Sequence, residues 1–271
     1  MKVRIAVVQF STVQAKPAEN LQKAERFVKE AKEKNAEIIV FPEDFIDAGE
    51  LKKEFVDFDG KYLRFFQALA KEHEVDLVPG SWTEGDGEFW YNTAYYIDKF
   101  GNVKGKYRKI NPWLSERKQI TPGREVAVFE TRFGRVGLAI CYDLVLPEIF
   151  REMAMKGVQL VFCPSWWENE STKPADWKTD ESLVVDSLCI ARAFENNLIV
   201  VYCNIASGIY DGKKNDAPVG HSQISLPLQA VEKLNHNKEE MFVKEIDTSI
   251  LEEMEQIFRI RKDLRNKNFL L

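Results

Sequence analysis

Short runs of branched and aromatic apolar residues recur along this chain, and two of them stand in matching surroundings 122 residues apart. Glu37–Phe41 (EIIVF) closes on Pro42, and Gln159–Cys163 (QLVFC) closes on Pro164. His73–Gly80 and Glu195–Tyr202 align at the same spacing, and Arg135–Cys141 (RVGLAIC) resembles Arg4–Gln9. Runs of this kind predict buried strands. Helical patterns lie between them. Pro17 opens one with Leu21, Ala24, Val28 and Ala31 on a single face, and Asn35 stops it. Others span Lys61–His73, the stretch from Pro147 to Gly157, and Glu181–Glu195. A strand is predicted near Val75–Ser81, and a hairpin runs from Asn92–Asp98 through Phe100-Gly101-Asn102 into Lys104–Tyr107. The pattern predicts two βαβ-rich halves sharing one core.

Composition narrows the class. The 271 residues correspond to one or two domains and need no disulfide or metal to hold a core. A net charge of −5 argues against a nucleic-acid surface, and no run of 18 apolar residues predicts a membrane span. The N-terminal stretch reads as a strand rather than a signal peptide. Cys141, Cys163, Cys189 and Cys203 form no CxxC pair, so reduced thiols in the cytoplasm are expected. His73, His221 and His236 are far apart, and no metal site is expected of them.

Three predicted strand ends carry reactive groups. Glu43 follows IIVFP, Lys109 follows the hairpin in KYRKINPW, and Cys141 ends VGLAI. Strand carboxyl ends in α/β sheets open onto a crevice. A thiol, a carboxylate and an ammonium there suffice for acyl transfer as nucleophile, proton carrier and anion stabiliser. Each also has a plain reading: core filler for Cys141, a helix-start acid for Glu43, a solvated loop lysine for Lys109.

The surrounding motifs separate these readings. FPEDF, KYRKINPWLSE, GLAICYDLVLPE, CPSWW, ARAFENNLIVVYCN and GHSQISLP together resemble the nitrilase (carbon–nitrogen hydrolase) superfamily, in the family's order from about residue 3 to Asp247. The resemblance implies an α/β fold, a four-layer αββα sandwich of two pseudo-equivalent halves. It places the catalytic Glu–Lys–Cys set on Glu43, Lys109 and Cys141, and a second glutamate on Glu116. Lys109 and the backbone N–H of Tyr142 are the expected oxyanion donors. No cofactor and no metal are implied. The expected reaction is cysteine-dependent hydrolysis, through a thioester, of a small amide or N-carbamoyl compound. Cys-Tyr-Asp at positions 141–143 looks like the amidase side, whereas true nitrilases usually show Cys-Trp-Glu. The alternatives are a nitrile hydrolase, a non-catalytic binding protein on the same fold, and a Cys–His hydrolase using Cys141 and His221.

Trp113, Trp166 and Trp167 sit in loops beside the expected site and are read as pocket walls or core. Asp143 is read as lining the pocket or setting the turn. An Arg192–Glu195 ion pair is expected to hold the halves together. No adjacent arginine pair follows Cys141 or Trp166, which favours neutral or cationic substrates over carboxylates. Residues 1–248 are read as the hydrolase domain. The tail 249–271, apolar and ending Phe-Leu-Leu, is expected to pack on a neighbouring subunit in a homodimer or larger even oligomer.

Overall fold

A computed structural model describes residues 1–49, 51–169, 180–210 and 212–266. The apolar runs become parallel strands. β1 (Lys2–Gln9) pairs in parallel with β2 (Ile38–Val40), Ile5 opposite Ile38, and β2 pairs in parallel with β3 (Asp76–Val78). α1 (Pro17–Glu33) and α2 (Lys61–His73) make the crossovers. Pro17 sits in the first turn of α1, where its missing N–H costs nothing, and Asn20, Ala24, Val28 and Ala31 are buried. The Asp57 carboxylate accepts the N–H groups of Gly60, Lys61 and Tyr62 at the start of α2.

The hairpin region extends this sheet. β4 (Ser81–Asp86), β5 (Phe89–Ile97) and β6 (Val103–Arg108) are antiparallel, with β5 between its two neighbours. The predicted single strand near Val75–Ser81 is in fact two, β3 and β4, broken at Pro79-Gly80.

The second half repeats the plan. β7 (Ala127–Thr131) pairs antiparallel with β8 (Gly134–Leu138), and β8 runs parallel to β9 (Leu160–Ser165). α3 (Pro147–Met155) lies between β8 and β9. α4 (Glu181–Asn196) then leads to β10 (Ile199–Asn204), which is parallel to β9. β11 (Gly208–Tyr210) and β12 (Lys213–Asn215) form a separate small ribbon, while β13 (Gln223–Leu226) and β14 (Gln229–Lys233) complete the six-stranded sheet. β15 (Glu240–Asp247) returns to the first sheet, antiparallel to β1 from Lys2–Asp247 to Gln9–Glu240.

The two sheets face each other. Val3, Ile5, Val7, Ile38 and Val40 of the first interdigitate with Val136, Leu138, Leu160, Phe162 and Ile199 of the second in one buried cluster. The outer faces carry their own clusters, one under α1 and α2 and one under α3 and α4. This is the four-layer αββα sandwich, and strands apolar on both faces are what it requires.

After β15 come α5 (Ile250–Phe258) and α6 (Ile260–Asn266). Leu251 and Met254 are buried, Asn197 Nδ2 donates to the Leu251 carbonyl at 2.9 Å, and the Arg261 guanidinium donates to the Asn197 carbonyl at 2.7 Å. This part of the tail is thus bound to its own chain, and the terminal Phe-Leu-Leu lies outside the described residues.

Two glycines fix the strand ends that matter below. A Cβ on Gly80, at φ +73°, would stand 2.0 Å from the Pro42 carbonyl oxygen; one on Gly123 would stand 2.0 Å from that of Arg108. Both backbones approach the residue preceding a site side chain, Glu43 or Lys109. Gly80→Ala adds left-handed strain to a backbone clash, so a loss of at least about 2 kcal/mol is expected in chemical denaturation. A change below about 0.5 kcal/mol would contradict this account of the close approach.

Candidate active site

Four strand ends converge on one point of the seam between the sheets. Glu43 follows β2, Lys109 follows β6, Cys141 follows β8 and Trp166 follows β9. The first two come from one sheet and the last two from the other.

Glu43 is 2% exposed, and both its oxygens are held. Oε1 accepts from Lys109 Nζ at 2.7 Å and from Asn92 Nδ2 at 2.8 Å, and Oε2 accepts from the Trp166 backbone N–H at 2.8 Å. Lys109 Nζ also donates to Glu116 Oε2 at 2.8 Å. Glu116 lies in the 3-10 turn Leu114–Lys118 and is pinned there by the Trp113 N–H at 2.6 Å. The Lys109 backbone is itself clamped, its N–H on the Asn92 carbonyl and its carbonyl under the Gly123 N–H, both at 2.8 Å. Oxygens of Glu43, Asp44 and Glu116 approach within 4.8 Å of one another, and Lys109 supplies the cation between the first and third.

Cys141 Sγ lies 3.5 Å from the Trp166 carbonyl, so one peptide residue touches both the thiol and Glu43. Cys141 opens a 3-10 turn (Cys141–Val145) with a left-handed backbone, φ +47°. For a side chain with a Cβ this is strained geometry held by its surroundings.

Burial sets the protonation states. It pushes the Glu43 carboxyl above its ordinary range, with Lys109 opposing. It disfavours the Lys109 charge, but Glu43, Cys141 and Glu116 outweigh it and hold the ammonium well above its ordinary value. Burial and the Glu43 charge keep the Cys141 thiol well above its usual range despite Lys109. The resting arrangement is thiol, carboxylate and ammonium, and the thiol needs an adjacent base to become a nucleophile.

A cavity of about 480 Å³ opens over these groups, within the range of small-molecule sites. Trp113 and Trp166 line it, together with Asp44, Tyr210 and Glu168. Two predicted wall residues belong elsewhere. Trp167 packs into the core and donates its indole N–H to Glu181 Oε2 at 2.8 Å. Asp143 is fully buried, accepting from the Ile140 N–H at 3.0 Å, Tyr107 OH at 2.7 Å and Asn111 Nδ2 at 2.8 Å. It binds the cysteine turn to the loop after Lys109 and does not face the cavity. Arg192 pairs with Glu195, but its guanidinium reaches the carbonyls of Leu144 and Val145 at 3.0 and 2.9 Å. It ties α4 to the cysteine turn within one half rather than joining the halves. The Tyr142 ring meets Trp113 at 4.4 Å between centroids. His221 pairs with Asp186 at 3.1 Å, away from the cavity lining, so a Cys141–His221 couple has no geometric support.

Asn92 and Asp44 escaped the reading of the sequence. Asn92 Nδ2 reaches Glu43, Glu116 at 3.2 Å and Asp44 at 3.5 Å, yet in sequence it is one polar residue in a hairpin strand. Asp44 was visible beside Glu43 in FPEDF, and the adjacency was the only signal.

Comparison with known proteins fits this geometry. Residues 4–256 match the carbon–nitrogen hydrolase family. The chain is 31% identical to 2-oxoglutaramate amidase of Bacillus subtilis, with 98% of each chain covered. It is also 31% identical to omega-amidase NIT2 of Danio rerio, over 98% of this chain and 95% of that one. Nit3 of Saccharomyces cerevisiae, a member of branch 10 of the nitrilase superfamily, superposes with a TM-score of 0.84 at 24% identity, covering 100% of this chain and 97% of its own.

The position of Asp143 has a measurable consequence. Asp143→Ala strands four donors, two of them fully buried, and frees the cysteine turn, so lower thermal stability and a fall of about 100-fold in kcat are expected, with KM little changed. A change confined to KM would return Asp143 to the pocket wall.

Proposed function

The chain belongs to the carbon–nitrogen hydrolase family, and on that premise we propose that it hydrolyses a small amide or N-carbamoyl compound through a thioester on Cys141. The observation carrying this reading is the buried Glu43–Lys109–Cys141 arrangement at the floor of an open cavity. The Cys141 thiol adds to the carbonyl carbon while Glu43 accepts its proton. Negative charge then develops on the carbonyl oxygen, where Lys109 Nζ and the Tyr142 N–H stabilise it. Tyr142 is the second residue of its turn, where backbone N–H groups lack helical partners. Glu43 passes the proton to the departing ammonia or amine, leaving the acyl group on sulfur. It then takes a proton from water, which attacks the thioester and releases the acid and the thiol. Glu116 positions Lys109 throughout, and its own anchoring by the Trp113 N–H supports that role. The names of the amidase relatives favour an amide over a nitrile.

We also place the enzyme in the cytoplasm, as an even homo-oligomer. All four cysteines are free and buried, which suits a reducing compartment, and no described helix is long and apolar enough to cross a membrane. Ile257 and Phe258 stay 69% and 40% exposed on α5, an apolar face that a second copy would cover. Sedimentation velocity should find dimers or larger even species that Ile257→Glu weakens; a monomeric parent chain overturns the assembly.

Ammonia release across a panel of amides, carbamoyl compounds and nitriles tests the reaction. Cys141→Ala should abolish it and remove the acyl adduct seen by intact mass. Activity equal to the parent would sink the mechanism. Lys109→Ala should lower kcat by at least about 100-fold, through the lost oxyanion donor.

The pH profile follows from burial. Glu43 must be ionised to take the proton, and burial raises its pKa, so activity is lost as pH falls through a value above the ordinary 4.5. The acid limb of kcat/KM should therefore lie above pH 4.5; a limb at or below it would remove Glu43 as the base.

A further inference from the structure

The cavity over Cys141 is short of positive charge. Glu43, Asp44, Glu116 and Glu168 line it, and Lys109 is the one cation among its described lining residues. Glu43 and Glu116 already hold that cation. Asp44 makes no ion pair among the described residues and feels Lys109 only from a distance, behind the repulsion of its acidic neighbours. It is 8% exposed, and among the described residues one carboxyl oxygen is buried with no hydrogen-bond partner while the other meets the Asn92 amide at 3.5 Å. Burial, then the charges of Glu43, Asp47 and Glu116, push its carboxyl well above the usual range. The site is poor at holding one more negative charge and lacks a positive one.

We propose that the amide substrate carries a protonated amine and that Asp44 is the counter-ion that selects it. This rests on the amidase reading of the same site. An ammonium entering beside Asp44 relieves the crowding of carboxylates and places a full positive charge next to it. Trp113, Trp166 and Tyr210 add aromatic surface suited to an alkyl chain ending in a cation. A substrate carboxylate would instead meet four acids, with no arginine among the described lining residues to grip it. The chain thereby parts from its Bacillus subtilis relative, since 2-oxoglutaramate bears a carboxylate.

Three amides of matched length separate the cases: 5-aminopentanamide (cationic), pentanamide (neutral) and glutaramate (anionic). The expected kcat/KM falls in that order, with the cationic amide at least tenfold above the anionic one. Asp44 has φ +46°, a left-handed backbone that asparagine tolerates, so Asp44→Asn removes the charge with little demand on the turn. The readout is the ratio of kcat/KM for 5-aminopentanamide to that for pentanamide, which should drop at least tenfold in Asp44→Asn through KM of the amine. Turnover of pentanamide with equal or better turnover of glutaramate overturns this proposal alone. So does an Asp44→Asn enzyme that keeps the parent's amine preference. If none of the three amides is turned over, the amidase reading fails and the proposal fails with it.

Discussion

The buried contact between Lys109 and Glu43 is the point on which both the fold and the chemistry turn. Each side chain is almost wholly removed from water, at 2% and 3% exposure, and the charges stand 2.7 Å apart. Neither group is tolerable there alone. Deleting one member of such a pair typically costs about 3–5 kcal/mol, because the other is left charged and unpaired. Glu116 accepts a second Lys109 donor, and Asn92 donates to both glutamates, which leaves the third Lys109 donor for a substrate oxygen. The strand ends bearing Glu43 and Lys109 are therefore held together by the same interaction that sets their charge states.

The second sheet supplies what this pair lacks. Cys141 and the Trp166 peptide come from β8 and β9, across the seam from Glu43 and Lys109. Neither half contains the whole site. The apolar face shared by the two sheets thus does more than stabilise the fold, since its packing fixes the distance between thiol and carboxylate. Asp143 and Arg192 act behind that face, tying the cysteine turn to the loop after Lys109 and to α4. Arg192 holds carbonyls of that turn, and Asp143, itself part of it, accepts from Ile140, Tyr107 and Asn111, so both govern where the sulfur sits without lining the cavity.

Much of this was legible in sequence because a physical pattern wrote it there. Buried apolar strands announced two βαβ-rich halves with a shared core, the family resemblance supplied the four-layer sandwich, and β2 and β9 keep the spacing that revealed the repeat. Glu43, Lys109 and Cys141 stood out as reactive groups at predicted strand ends, and the resemblance of the motifs around them to a known family chose the catalytic reading over the plain ones. The misses share a cause. Trp167 and Asp143 lie next to site residues in sequence, but adjacency says nothing of which way a side chain leaves the backbone. Arg192 was paired correctly with Glu195, while its carbonyl partners at Leu144 and Val145 are 47 or 48 residues away. Edge strands such as β7 are only half-buried and carry little periodic signal.

The charge state of the resting site explains why one carboxylate suffices for two proton transfers. The thiol is kept protonated by burial and by Glu43, so a free thiolate is not stored in the empty cavity, where it would be open to oxidation. Ionisation is deferred until a carbonyl carbon is within reach to share the charge. At that moment the proton moves onto Glu43, whose raised pKa makes it a willing acceptor and later a ready donor. The Lys109 ammonium stays charged because its acidic partners, Glu43 first, outweigh its burial. A fixed cation between two carboxylates lets negative charge pass from sulfur to substrate oxygen and back without reorganising the surroundings, which is the electrostatic economy a buried site of this kind provides.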